Sequence, residues 1–277
     1  MRIRYGFNIE IETPQPTTLL TAMDIEPARH VDIASERPFA ASPAMGIDTF
    51  TDNFGNLRRR INAPAGLITL STEGVVNDSG EPERQFPGAE QGQVADLPVE
   101  TLPFLLGSRY CETDLLSAFA WSQFGSVEGG WAKAQAVCDF VHGHLEFGYP
   151  HANPTRTAMG AFNDRLGVCR DFTHLAVTLC RCLNIPARYC NGYLGDIGVP
   201  ADPAPMDFNA WFEAYLGGAW HTFDARHNMP RIGRIVLARG RDAMDIPMLH
   251  TFGPHILRRF EVITEEVIES PLAMAAE

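Results

Sequence analysis

The chain has 277 residues, 45% of them hydrophobic and 20% charged, with a formal net charge of -12. These proportions describe a folded globular chain with room for a sizeable core in one or two domains, not a disordered one. An acidic balance argues against nucleic acid as the main partner, because phosphate binding needs clustered Lys and Arg. No apolar run approaches the roughly 20 residues needed to span a bilayer. Residues 1–12 alternate polar and apolar side chains and lack the unbroken apolar stretch of a signal peptide, so a cytoplasmic location and no membrane partner are expected.

In a reducing compartment the six cysteines (Cys111, Cys138, Cys169, Cys180, Cys182 and Cys190) are expected as free thiols. There is no CxxC pair, and the histidines do not fall at zinc-ligand spacings, so no metal is expected. No nucleotide motif or calcium loop is present, and no cofactor is expected.

The first residues read as a strand, since Ile3, Tyr5, Phe7, Ile9 and Ile11 recur at period two. Short apolar runs follow, broken by turn chemistry at Asp52-Asn53-Phe54-Gly55-Asn56. A stretch from about Asn77 to Glu100 is rich in Gly, Pro, Glu and Gln and reads as a connection. The expected organisation is an N-terminal β-domain over 1–85, a connection over 86–110 and a core domain over 111–277. A helix capped by Thr113 or Asp114 is predicted to run to about Gln123, and a second from Gly130 to Phe147. From Cys169 onward, Phe172, Leu175, Leu179 and Leu183 form an apolar stripe at helical spacing, which Asn184-Ile185-Pro186 ends. Ala187 to Leu194 then reads as a strand. Asn209 to Leu216 and Ala219 to Asp224 read as a hairpin about Gly217-Gly218.

Cys169 stands at the start of its helix, where unsatisfied N–H groups and the dipole favour a thiolate and Arg170 adds positive charge. By position alone it is a nucleophile or one more small buried residue. The other five cysteines read as core filling. Hairpin register pairs Leu216 with Ala219 and sets Asp224 on the same face as Asn209, diagonally across, where a carboxylate and an amide can exchange hydrogen bonds.

The runs Gly-Val-Cys-Arg-Asp-Phe-Thr-His-Leu-Ala (167–176), Leu-Asn-Ile-Pro-Ala-Arg-Tyr (183–189), Gly-Tyr-Leu (192–194), Ala-Trp-Phe-Glu-Ala-Tyr-Leu (210–216) and Trp-His-Thr-Phe-Asp-Ala (220–225) resemble the core of transglutaminase-like proteins. The strands before them are similar to the β-domain of bacterial members. The resemblance implies an α+β fold with a papain-like core and a Cys-His-Asp set, acting on a peptide or small amide by hydrolysis or acyl transfer. Residue by residue, Cys169 matches the nucleophile and Asp224 the acid, but the position of the family's histidine holds Asn209. An amide cannot accept a proton near neutral pH.

Three readings follow. His227, three residues past Asp224, supplies the base if a turn redirects it; the thiolate works without an imidazole; or catalysis is lost and the cleft binds without reacting. His174, about 140° around the helix from Cys169, reads as a core residue. Asp171 reads as a first-turn helix acid. Arg226 and Trp211 are candidates for substrate contact. Trp211 is equally suited to filling the core, and Arg231, Arg234, Arg239 and Arg241 to pairing with the abundant acids. The oligomeric state is not legible in the sequence.

Overall fold

The computed structural model describes residues 1–268 and shows an α+β architecture. Six strands come first: β1 (Arg2–Thr13), β2 (Thr17–Thr21), β3 (Ile33–Ser42), β4 (Gly46–Thr51), β5 (Leu57–Ala63) and β6 (Gly66–Asn77). Helices α1 (Thr113–Phe124) and α2 (Gly130–His144) follow, then the short strand β7 (Glu146–Phe147), α3 (Ala158–Asp164), β8 (Leu166–Gly167) and α4 (Cys169–Cys182). The remaining strands are β9 (Ala187–Tyr193), β10 (Asn209–Leu216), β11 (Ala219–Phe223), β12 (Ile235–Gly240), β13 (Leu249–Thr251) and β14 (Ile256–Glu266).

The period-two pattern of β1 buries Ile3, Tyr5, Phe7, Ile9 and Ile11 as expected. Its strand lies inside a sheet of order β14-β1-β6-β3, and a second sheet runs β13-β2-β5-β4. Both are antiparallel. Their inner faces share one apolar cluster with Tyr193, Ile235 and Leu237 of the central sheet, whose order is β11-β10-β9-β12. Against the opposite side of that sheet Phe212, Ala214, Leu216 and Phe223 pack on the helices.

Three features depart from the sequence reading. The last strands fall within the stretch expected to belong to the core domain, yet β13 pairs with β2 and β14 with β1. The chain thus returns to the β layer with which it began. The residues of the expected connection are strapped onto α2 and the β10–β11 turn by backbone bonds, Trp131 N–H donating to Ala89 C=O and Gly217 N–H to Glu90 C=O. Helix α2 stops at His144, short of Phe147, because Leu145 is extended and the chain enters β7.

Helix α4 is the spine of the core. Every residue from Asp171 to Cys182 is buried, including Arg181, whose guanidinium donates to the carbonyls of Ala187, Leu106 and Arg241. The hairpin register is as expected: Leu216 faces Ala219, and Gly217 and Gly218 both take positive φ, which a tight two-residue turn requires. Gly192 on β9 has a different reason. A Cβ there would lie 2.0 Å from the Ile235 carbonyl oxygen and 2.8 Å from the Trp211 ring.

Neither backbone nor indole can yield cheaply, so Gly192→Ala is expected to lower stability by about 2 kcal/mol, read from urea unfolding.

Candidate active site

Cys169 is the first residue of α4 and is half-buried against Tyr189, Ala210, Ala238 and Ile246. The helix start is fixed by Asp171, whose buried carboxylate accepts the Val168 N–H at 2.9 Å and meets Arg156 and Arg170. That makes Asp171 the first-turn acid the sequence suggested. His174 is fully buried, stacked on Tyr110 with ring centroids 4.9 Å apart, and accepts the Ala243 N–H through Nε2. Burial, then Arg170 and Arg181, hold its imidazole well below the ordinary range, so it is a neutral core residue.

The helix terminus does not leave Cys169 as a resting thiolate. Burial pushes its thiol up to about 11, and the Asp207 carboxylate pushes the same way. Arg226 and a hydrogen bond from the Ala210 backbone oppose them without prevailing. Asp207, two residues before Asn209, was not singled out in the sequence. Its own carboxyl is raised by burial, with the Phe208 N–H and Arg226 pulling it back. Period two along the approach to β10 was the one signal that could have found it.

The expected exchange between Asn209 and Asp224 is absent. Strand β11 ends at Phe223, and Asp224 turns into the bend that follows. Its Oδ1 accepts the N–H groups of Arg226 and His227, both at 3.0 Å, which draws the side chain into the turn and away from the amide. Asn209 instead donates Nδ2 to the Leu194 and Asp207 carbonyls and receives Arg226 Nη1 at 3.5 Å on its oxygen.

The same turn redirects His227. Its Nδ1 lies 2.8 Å from Asp224 Oδ2, and Arg226 Nη1 lies 2.7 Å from its Nε2. A guanidinium can only donate and an ionised carboxylate can only accept. Nδ1 thus faces an acceptor and Nε2 faces a donor. Asp224 itself is 6% exposed. Burial alone would raise its pKa, yet Arg234 and then His227 outweigh that and hold it well below the usual carboxylate range. Arg234 lies 3.1 Å from Asp224 and 2.6 Å from Glu83, and its guanidinium covers the Trp211 ring at 4.5 Å.

Trp211, a candidate for substrate contact, is 0% exposed and fills the core in the space Gly192 leaves. Of the arginines, Arg231 meets Asp196, Arg239 meets Glu213 and Glu26, and Arg241 meets Asp245. Arg226 differs. It stacks at 3.8 Å over Phe147, has Asp202 at 4.0 Å, and points its remaining donors at Asn209 and His227.

Two cavities meet here. One of about 640 Å³ opens on Cys169, and another of about 270 Å³ on Arg226 and His227. Asp207 and Asn209 wall both. Among the described residues no group of three His, Cys, Asp or Glu side chains is placed to hold a metal, and no helix is long and apolar enough to cross a membrane.

A thiol at a helix start and a carboxylate-held imidazole thus line two cavities that share Asp207 and Asn209, on an α+β frame. The transglutaminase-like superfamily model matches residues 118–225. A crystal structure of a protein from Cytophaga hutchinsonii, proposed to be a cysteine protease, is similar with a TM-score of 0.83 and 31% identity, over 98% of this chain and 93% of that one. An uncharacterized protein of Mycobacterium leprae is 30% identical over 96 residues, and that alignment spans 34% of each chain. The chain belongs to the transglutaminase-like superfamily.

Removing the Asp224 carboxylate leaves Arg234 buried with Glu83 alone, so Asp224→Ala is expected to lose about 3 kcal/mol in chemical unfolding. The pH dependence has a definite sign. A depressed carboxyl contributes fully above its unfolded value of about 3.9 and loses that contribution as pH falls through the folded value. Parent protein is therefore expected to lose more stability than Asp224→Asn on acidification below about pH 4.

Proposed function

We propose that this protein is a thiol-dependent amide hydrolase or acyltransferase in which His227, and not a residue at position 209, moves the proton. The observation that carries the reading is the bond between His227 Nδ1 and Asp224 Oδ2, which orients the ring and leaves Nε2 as the acceptor. That is the tautomer a general base needs.

The resting thiol is protonated at neutral pH, so activation comes with substrate. Arg226 leaves Nε2, which then takes the Cys169 proton directly or through one water. The sulfur attacks the amide carbonyl, a C–S bond forms, and the tetrahedral oxyanion collapses as the C–N bond breaks. The imidazolium returns the proton to the departing amine. Water or a second amine then attacks the thioester and releases Cys169, its proton passing through His227 to the sulfur. Asn209, with its amide between the two cavities, positions the carbonyl group rather than exchanging protons. A peptide or small amide fits the cleft, and nothing in this chemistry needs a cofactor.

A second reading has its own observation. A thiol pushed up to about 11 and an Nε2 already occupied by Arg226 also suit a cleft that binds without reacting.

Hydrolysis of blocked dipeptide amides separates the two. Cys169→Ala is expected to abolish turnover, and His227→Ala to lower kcat/KM about 100-fold. Adding Asn209→His to His227→Ala should restore part of the loss. A parent as inert as Cys169→Ala, with activity appearing on Asn209→His alone, would establish the binding reading instead.

A further inference from the structure

The larger cavity has a wall that the thiol chemistry does not use. Strand β14 pairs with β1 in a register that slips once: Phe260 faces Ile9, Arg259 faces Glu10, and Leu257 faces Ile11, with Arg258 left over as a bulge. Residues 257 and 260 differ by an odd number, so a regular strand would put them on opposite faces. The extra residue brings both onto the face of Ile9 and Ile11. Beneath them Ile9 and Ile11 are buried, whereas Leu257 is 56% exposed and Phe260 39% exposed.

This stripe continues to the thiol. Phe260 meets the Phe208 ring edge-on with centroids 6.0 Å apart, and Phe208 is flanked by Asp207 and Asn209 at the Cys169 end. From the other side Met244, Pro247 and Met248 close in, and Met244 is half exposed. The charged groups on the walls are Arg170 and Asp207, with His250 and His255 alongside. Arg170 is engaged by the Asn153 carbonyl and the Tyr110 ring. At about 640 Å³ the space is ample for a large side chain together with the backbone on either side of it.

We infer that this cavity is an acyl-group subsite selective for large apolar side chains, with Leu257 and Phe260 of the returning C-terminal strand forming one of its walls. The inference rests on the reading of Cys169 as the acylated thiol, since that reading makes the cavity's occupant the acyl side of the substrate. Exposed Leu, Phe and Met side chains facing a common space gain by covering one another with a ligand of the same character. An acidic side chain would lose its hydration there facing the Asp207 carboxylate and an Arg170 that is already engaged. Nothing in the family's Cys-His-Asp chemistry requires the bulge. It is the device by which this chain places two apolar residues where a regular strand would place one.

The test is binding without turnover. In Cys169→Ala protein, calorimetric titration with N-acetyl-Phe-Phe-amide is compared with N-acetyl-Glu-Glu-amide. The apolar peptide is expected to bind and the acidic one to bind at least about tenfold more weakly, and Leu257→Asp should weaken the apolar peptide about tenfold. Leu257 is exposed enough for the charge to leave folding intact, and Phe260→Ser provides a second, uncharged change. Equal binding of the two peptides, binding of neither, or Leu257→Asp and Phe260→Ser without effect would overturn the subsite. Selective apolar binding in a protein whose parent form shows no turnover would overturn the catalytic reading and leave the subsite standing.

Discussion

The carboxylate of Asp224 sits where four segments of the chain meet. It ends the β10–β11 hairpin, caps the turn that carries Arg226 and His227, receives the buried guanidinium of Arg234, and through Arg234 reaches Glu83 in the connection from the β layer. Burying one acid and one base with all lone pairs and protons engaged is tolerable, but burying either alone is not. The turn therefore cannot relax without stranding Arg234. His227 is held in its orientation by the same constraint, so the charge pairing that stabilises this corner also defines the geometry of the site.

Helix α4 provides the other half. Because it is buried on all sides, its N-terminus is fixed relative to the central sheet, and Cys169 has little freedom to move toward or away from β10. The same burial raises the thiol, and here two effects of one helix oppose each other. The dipole and Arg226 favour a thiolate, while desolvation and Asp207 disfavour it, and the latter prevail in the resting state. A site of this kind holds its nucleophile in reserve until a substrate rearranges the charges around it.

Much of this was legible in the sequence, where the controlling interactions are local. The start of α4, the Gly217-Gly218 turn, the register of Leu216 on Ala219 and the role of Asp171 all follow from residues within a few positions of one another. His227 is a borderline case: a turn was needed to bring it round, and the acceptor that makes the turn is Asp224, three residues away. The Asn209–Asp224 pairing failed for the same reason, since extrapolating the ladder by one residue ignored the two N–H groups waiting in the bend. Long-range partners left no trace. Nothing near Arg234 points to Glu83, and nothing near β14 announces that it pairs with β1, Glu266 opposite Ile3. That return strand carries Leu257 and Phe260 to the cleft.

The central claim is that the imidazole held by Asp224 serves the sulfur of Cys169. Its most direct test is the rate of covalent acylation of Cys169 by an N-acetyl-phenylalanine ester, followed against pH by intact mass, in the parent and in His227→Ala. The account predicts that the parent acylates at neutral pH, where the thiol alone is protonated, and that the variant acylates only as pH climbs toward the thiol's own ionisation near 11. Superimposable profiles for the two proteins would contradict it.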